Sequence, residues 1–133
     1  MNCAQYSERE QLCDYDKSAQ IAISKLRPLP IIGHGAAPSD VAAYGRMGEA
    51  QLSILLADWK KLRPPPKAEQ WHDSMEEWIT TSSGGFAILT AVDARRQSEV
   101  DAILESFFPL RDGMAIELDQ LNREYSRLVQ DCP

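Results

Sequence analysis

The sequence predicts an all-α protein, an up-down-up-down four-helix bundle whose last helix is kinked at Pro109. Three observations predict it. Apolar or small residues mirror one another about Pro64-Pro65-Pro66: Leu62 with Ala68, Trp59 with Trp71, Leu55 with Met75, Leu52 with Trp78, Gly48 with Ser82, Tyr44 with Phe86 and Val41 with Leu89. Their spacing of three and four residues is the helical period, so two helices folded about a proline elbow stack them layer on layer. Next, Val100, Leu104, Phe107, Arg111, Met114, Leu118, Leu121, Tyr125 and Leu128 hold one stripe in unbroken phase across Pro109. That continuity predicts a single bent helix. Finally, no segment alternates with the period of a strand. The nearest candidate, Leu29 to Ile32, is short and interrupted by Pro30.

The elements follow in order. After a tail from Met1 to Gln5, Leu12, Tyr15, Ala19, Ala22 or Ile23, and Leu26 share one face and predict a first helix over about 6–27. Pro28 and Pro30 end it, because the residue before a proline is pushed out of the helical region. The loop that follows carries Leu29, Ile31 and Ile32, too apolar for an exposed connection, and is expected to plug one end of the bundle. Gly33-His34-Gly35 then forms a bend with His34 facing solvent. Ser39 is expected to cap a second helix over about 39–62, with Asp40 at the positive end of its dipole and Lys60, Lys61 and Arg63 at the negative end. The third helix is placed over about 66–92. Thr80 to Gly85 are poor helix formers, but Phe86 and Leu89 keep the phase of Met75 and Trp78, so the helix is expected to run through them. Ser98 resembles the start of a capping box and opens a fourth helix over about 99–131. A second mirror pairs Leu89 with Val100, Phe86 with Leu104, Ser82 with Phe107, Met75 with Met114 and Trp71 with Leu118.

Composition bounds the function. At 133 residues, with 44% hydrophobic and 26% charged residues, the chain suits a single helical-bundle domain over 1–133. A formal net charge of −6 repels phosphate backbones, so nucleic acid is not an expected partner. No apolar run approaches the ~20 residues of a membrane span. Three cysteines stand near the chain ends. An even number of antiparallel helices brings both termini together, so Cys132 is expected to pair with Cys13, with Cys3 as the rival partner. Three unpaired thiols of a reducing compartment are the alternative.

Candidate chemistry is sparse. Glu69-Gln70-Trp71-His72 spells Glu-x-x-His, a spacing that lets two helical side chains share a metal. Such sites need a second copy, and the other histidine, His34, sits in a loop. His72 is therefore expected at the surface among Glu69, Asp73 and Glu76, whose charges favour the imidazolium. Trp59, Trp71 and Trp78 could line an aromatic box, but Trp59 and Trp71 share a mirror layer, which points to core packing. Arg111 is the one charged member of its stripe and needs a partner, Asp58 or Glu77, or a route for its guanidinium to water. No catalytic, cofactor-binding or metal-ligating set is assigned.

The run Leu62-Arg63-Pro64-Pro65-Pro66 followed by Trp71-His72 resembles helical-bundle domains of uncharacterised bacterial secreted proteins and lipoproteins, over about 39–92. The resemblance implies an extracytoplasmic bundle and carries no catalytic residues; the chain departs from it in showing no export signal before Cys3. A disulfide would favour the envelope over the cytoplasm. The first functional expectation is a non-enzymatic module that binds another protein or acts as a spacer at the bacterial cell envelope. The alternative is a small-molecule sensor using a groove beside Ser82, Ser83, Gly84 and Gly85, opposite Gly48 and Phe107. A metal-binding bundle on Glu69 and His72 is a remote third. Oligomeric state is left open.

Overall fold

The computed structural model describes residues 3–133, with side chains from residue 8 onward. Four α-helices account for it: α1 (Cys3–Ser24), α2 (Pro38–Lys61), α3 (Glu69–Ala87) and α4 (Gln97–Leu128). Short 3₁₀ segments, Pro66–Ala68 and Val92–Ala94, lie in the connections after α2 and after α3. Among the described residues there is no strand. Met1 and Asn2 of the expected tail lie outside the described residues.

The helix starts correct two expectations. Ala37, not Ser39, is the N-cap of α2, and Pro38 occupies the first turn. A proline's fixed φ suits that position and its missing N–H costs nothing there, so the helix begins before serine can cap it. Likewise Arg96 caps α4 with no side-chain bond, and Ser98 lies inside the helix. The Gln97 amide instead donates to Asp101 at 2.9 Å and to the Ala36 carbonyl at 2.9 Å.

The hairpin about Pro64-Pro65-Pro66 forms as the mirror predicts. Trp59 and Trp71 meet edge to face with ring centroids 5.5 Å apart, and at the far end Tyr44 faces Phe86 at 5.6 Å. The polar stretch Thr80 to Gly85 does not break α3. Small residues let the two helices close up: a Cβ on Gly45 would stand 2.6 Å from Leu89 Cβ and 3.0 Å from the Phe86 carbonyl, and one on Gly48 would meet the Phe86 ring at 2.4 Å.

The second mirror is corrected by about one helical turn. α3 ends at Ala87, short of Val92. Trp78 Nε1 donates to the Met114 carbonyl at 2.9 Å, Trp71 Nε1 to that of Leu121 at 2.9 Å, and Phe86 packs on Phe107 at 5.6 Å. With Phe107 beside Phe86, the first ten residues of α4, about 15 Å of helix, extend past the end of α3. The chain climbs that distance through the turn and the 3₁₀ segment, burying Leu89 and Val92 on the way. α4 itself runs unbroken through Pro109.

The loop between α1 and α2 does not plug an end. It runs along α4: the Ile32 carbonyl faces Arg111, His34 Nδ1 lies 3.0 Å from Glu105, and the Ala36 carbonyl meets Gln97. Ile32 is buried, Ile31 is fully exposed and His34 is exposed as expected. Gly35 makes the reversal with φ 77°, a conformation that disfavours any Cβ. At the other extremity Cys13 and Cys132 stand at disulfide distance, with S–S 2.08 Å and Cα–Cα 5.4 Å. They tie α1 to the end of α4. The rival Cys3 side chain lies outside the described residues.

The close α2–α3 approach generates a paired test. Gly45→Ala drives a methyl group into Leu89 and the Phe86 backbone and should destabilise by ~1–3 kcal/mol. Gly84→Ala meets nothing within 4 Å and should stabilise by ~0.5–1 kcal/mol through helix propensity. Urea denaturation of both variants measures the contrast.

Candidate functional site

α1 stops at Ser24, where the serine hydroxyl bonds back to the Ile21 carbonyl at 2.7 Å, and Pro28 and Pro30 keep the chain extended beyond it. α2, α3 and α4 continue past that level. Where helix gives way to loop, the bundle's flank is incompletely covered and an apolar crevice of about 240 Å³ opens. Leu26 and Leu29 come from the chain as it leaves α1. Gly48 and Leu52 come from α2, Trp78, Ser82 and Phe86 from α3, and Arg111, Met114 and Ala115 from α4.

Its polar side chains are few: Ser82, Gln51, Arg27 and Arg111. Ser82 is buried, and its hydroxyl has no hydrogen-bond partner among the described residues. Gln51 accepts the Arg27 backbone N–H through Oε1 at 2.6 Å. Arg111 is half-buried. Its guanidinium reaches the Ile32 carbonyl at 3.5 Å and sits 4.7 Å from the centroid of the Phe108 ring. No carboxylate oxygen lies within 4.0 Å of Arg111 or Arg27 among the described residues. The expected partners are engaged elsewhere or exposed. Asp58 pairs with Lys25 at 2.9 Å, a bond that lowers its pKa, and Glu77 faces solvent. No Asp or Glu lines the crevice.

Of the four residues expected to frame a groove, only Ser82 does so. A Cβ on Gly85 would meet the Met114 methyl, Gly84 is exposed, and Ser83 is half-buried away from the lining. Phe107, expected opposite, packs on Tyr44 and Phe86 instead. Sequence reasoning missed Leu26, Leu29 and Gln51. The signal that could have located them was Arg111, a charge on an apolar stripe with no helical neighbour to neutralise it.

The Glu69–His72 pair separates. Glu69 is exposed in the first turn of α3, whereas His72 is buried, which corrects the expectation of a surface histidine. Its ring stacks on Trp59 at 5.1 Å and 10°, and the Tyr15 hydroxyl lies 2.6 Å from Nδ1. Burial lowers the His72 pKa from its ordinary 6.5, outweighing the opposing charges of Asp73 and Glu76. Burial also raises that of Tyr15. The phenol therefore keeps its proton, and a hydrogen bond joins it to Nδ1 of a neutral His72. Among the described residues no group of three or more His, Cys, Asp or Glu could hold a metal ion.

The three tryptophans are core. Each indole N–H donates to a backbone carbonyl, that of Trp59 to His72 at 3.1 Å. Trp71 stacks on Tyr125 at 4.2 Å, and the Tyr125 hydroxyl donates to Asp16. Trp78 alone also edges the crevice. Among the described residues, no helix is long and apolar enough to cross a membrane. No family model, curated protein or solved structure matches the chain.

His72 makes stability depend on pH with a defined sign. A folded-state pKa below the unfolded value means the unfolded chain binds the extra proton first, so stability is lost as pH falls through about 6.5. Urea melts should show a fall of up to ~1.4 kcal/mol per pH unit just below that point. His72→Gln should flatten this slope even though it lowers stability throughout.

Proposed function

We propose that the protein is a binding module for a small, largely apolar molecule held in the crevice between the end of α1 and the other three helices. The observation that carries this reading is the crevice itself. Native interiors hold few voids larger than a water molecule, yet here about 240 Å³ stays open on the bundle's flank among Leu26, Leu52, Trp78 and Met114. A cavity of about 150 Å³ with aliphatic and aromatic walls suffices for benzene. The unpartnered Ser82 hydroxyl supports the same reading, because a buried polar group without a partner is a cost that a ligand can relieve after a small rotation.

Recognition, not catalysis, suits this lining. It offers no carboxylate, imidazole or thiol to move a proton or attack a substrate. A spacer or a purely protein-binding module has no need of such a volume, so the sensor alternative is preferred to the first expectation. The Cys13–Cys132 pair suits an oxidising compartment.

Ala115 lies at the exposed rim, so Ala115→Trp should block the crevice while costing the helix only ~0.5 kcal/mol. Thermal-shift measurements with indole, toluene and octan-1-ol should raise the melting temperature of the wild type and leave the blocked variant unmoved. Equal shifts in both, or none in either, would sink the reading. Ser82→Ala should raise the stability of the free protein by ~1 kcal/mol by removing the unpaired hydroxyl.

A further inference from the structure

We infer that the molecule held in the crevice is a monocarboxylic acid with an apolar tail, its carboxylate taken by Arg111. This rests on the binding reading above and adds the ligand's charge. Arg111, Gln51 and the exposed Arg27 are among the lining residues and no Asp or Glu is, in a chain carrying 20 Asp and Glu against 14 Lys and Arg. The walls are almost wholly apolar, so the place for a charged ligand group is the mouth, beside the Arg111 side chain. A mouth that carries arginine and no carboxylate is complementary to an anion.

Arg111 is the specific element. A half-buried guanidinium ordinarily finds a carboxylate. Here it has one long bond to the Ile32 carbonyl and the face of the Phe108 ring, which hold the stem in place and leave other N–H donors unused. A planar fork of donors fits a carboxylate through two parallel bonds. The walls supply the rest: Leu26, Leu52, Trp78 and Met114 accept hydrocarbon. Scaling from benzene in about 150 Å³, the 240 Å³ here hold roughly ten non-hydrogen atoms. That is the size of a medium-chain fatty acid or a substituted aromatic acid.

Three ligands with one tail separate the claims: octanoate, octan-1-ol and octylammonium, titrated by calorimetry against wild type, Arg111→Gln, Arg111→Lys and Ala115→Trp. Octanoate should bind at least about tenfold more tightly than octan-1-ol, the scale of one charge-assisted hydrogen bond, with octylammonium weakest. Arg111→Gln should bring octanoate to the level of octan-1-ol, Arg111→Lys should restore part of the difference, and Ala115→Trp should abolish binding. Equal binding of octanoate and octan-1-ol, both lost in Ala115→Trp, would overturn the acid and leave the apolar site standing. An octanoate preference unchanged in Arg111→Gln would overturn the role of that residue. Failure of all three ligands to bind the wild type would overturn the binding reading with it.

Discussion

The early end of α1 is the constraint on which the rest of the molecule depends. α1 ends in a turn through Lys25 and Leu26, and Pro28 and Pro30 cannot resume a helix, so beyond that turn the first layer of the bundle is loop. An extended segment presents fewer inward side chains over a given length than a helix does. The chain covers the exposed flank with Leu29, Ile32 and Ala36, held by carbonyls of Ile32 and Ala36 that face Arg111 and Gln97. The flank is sealed at Ile32 but not where α1 gives way to loop. The crevice, its apolar walls and the position of Arg111 all follow from that mismatch.

The opposite end of the bundle is built to be rigid. Tyr15, Trp59, Trp71, His72 and Tyr125 form a continuous aromatic block whose polar groups are hydrogen-bonded within it, to neighbouring backbone, or to the Asp16 carboxylate. Buried polar groups with partners fix one arrangement of the rings, whereas an unpaired one would favour rearrangement. The cross-link between Cys13 and Cys132 holds the helix ends against this block. The far end is packed as closely, with Val41, Leu89, Val92, Val100, Leu104 and Phe107 all buried. The crevice lies between the two, and Ser82, whose hydroxyl has no partner among the described residues, lines it.

Much of this was legible in the sequence, and the parts that were not share a physical cause. The helical period identifies which residues of one element face the core, so the four helices and the pairing of Trp59 with Trp71 could be read directly. The register of α3 against α4 could not. It depends on how far the connection climbs before α4 begins, and nothing local distinguishes a tight turn from the path through Val92 to Ala94. His72 was misplaced for a similar reason. Its neighbours in sequence are acidic, but the groups that decide its state, Tyr15 and Trp59, come from other helices. Ser82 was singled out on the expectation that small residues opposite Gly48 leave volume; it does line the crevice, but Gly48 itself is closed on the Phe86 ring. Leu26, Leu29 and Gln51 were not singled out, because the bend that brings them to Ser82 is a tertiary consequence of two prolines.

The central claim is that the crevice is a preformed apolar space and not a gap that side chains close in solution. Crystals of the ligand-free protein held under xenon pressure test it most directly, since xenon enters dry, apolar cavities without needing polar partners. The account predicts a xenon site bounded by Leu52, Trp78 and Met114. An absence of xenon there, with Leu29 or Met114 folded inward to fill the volume, would contradict it.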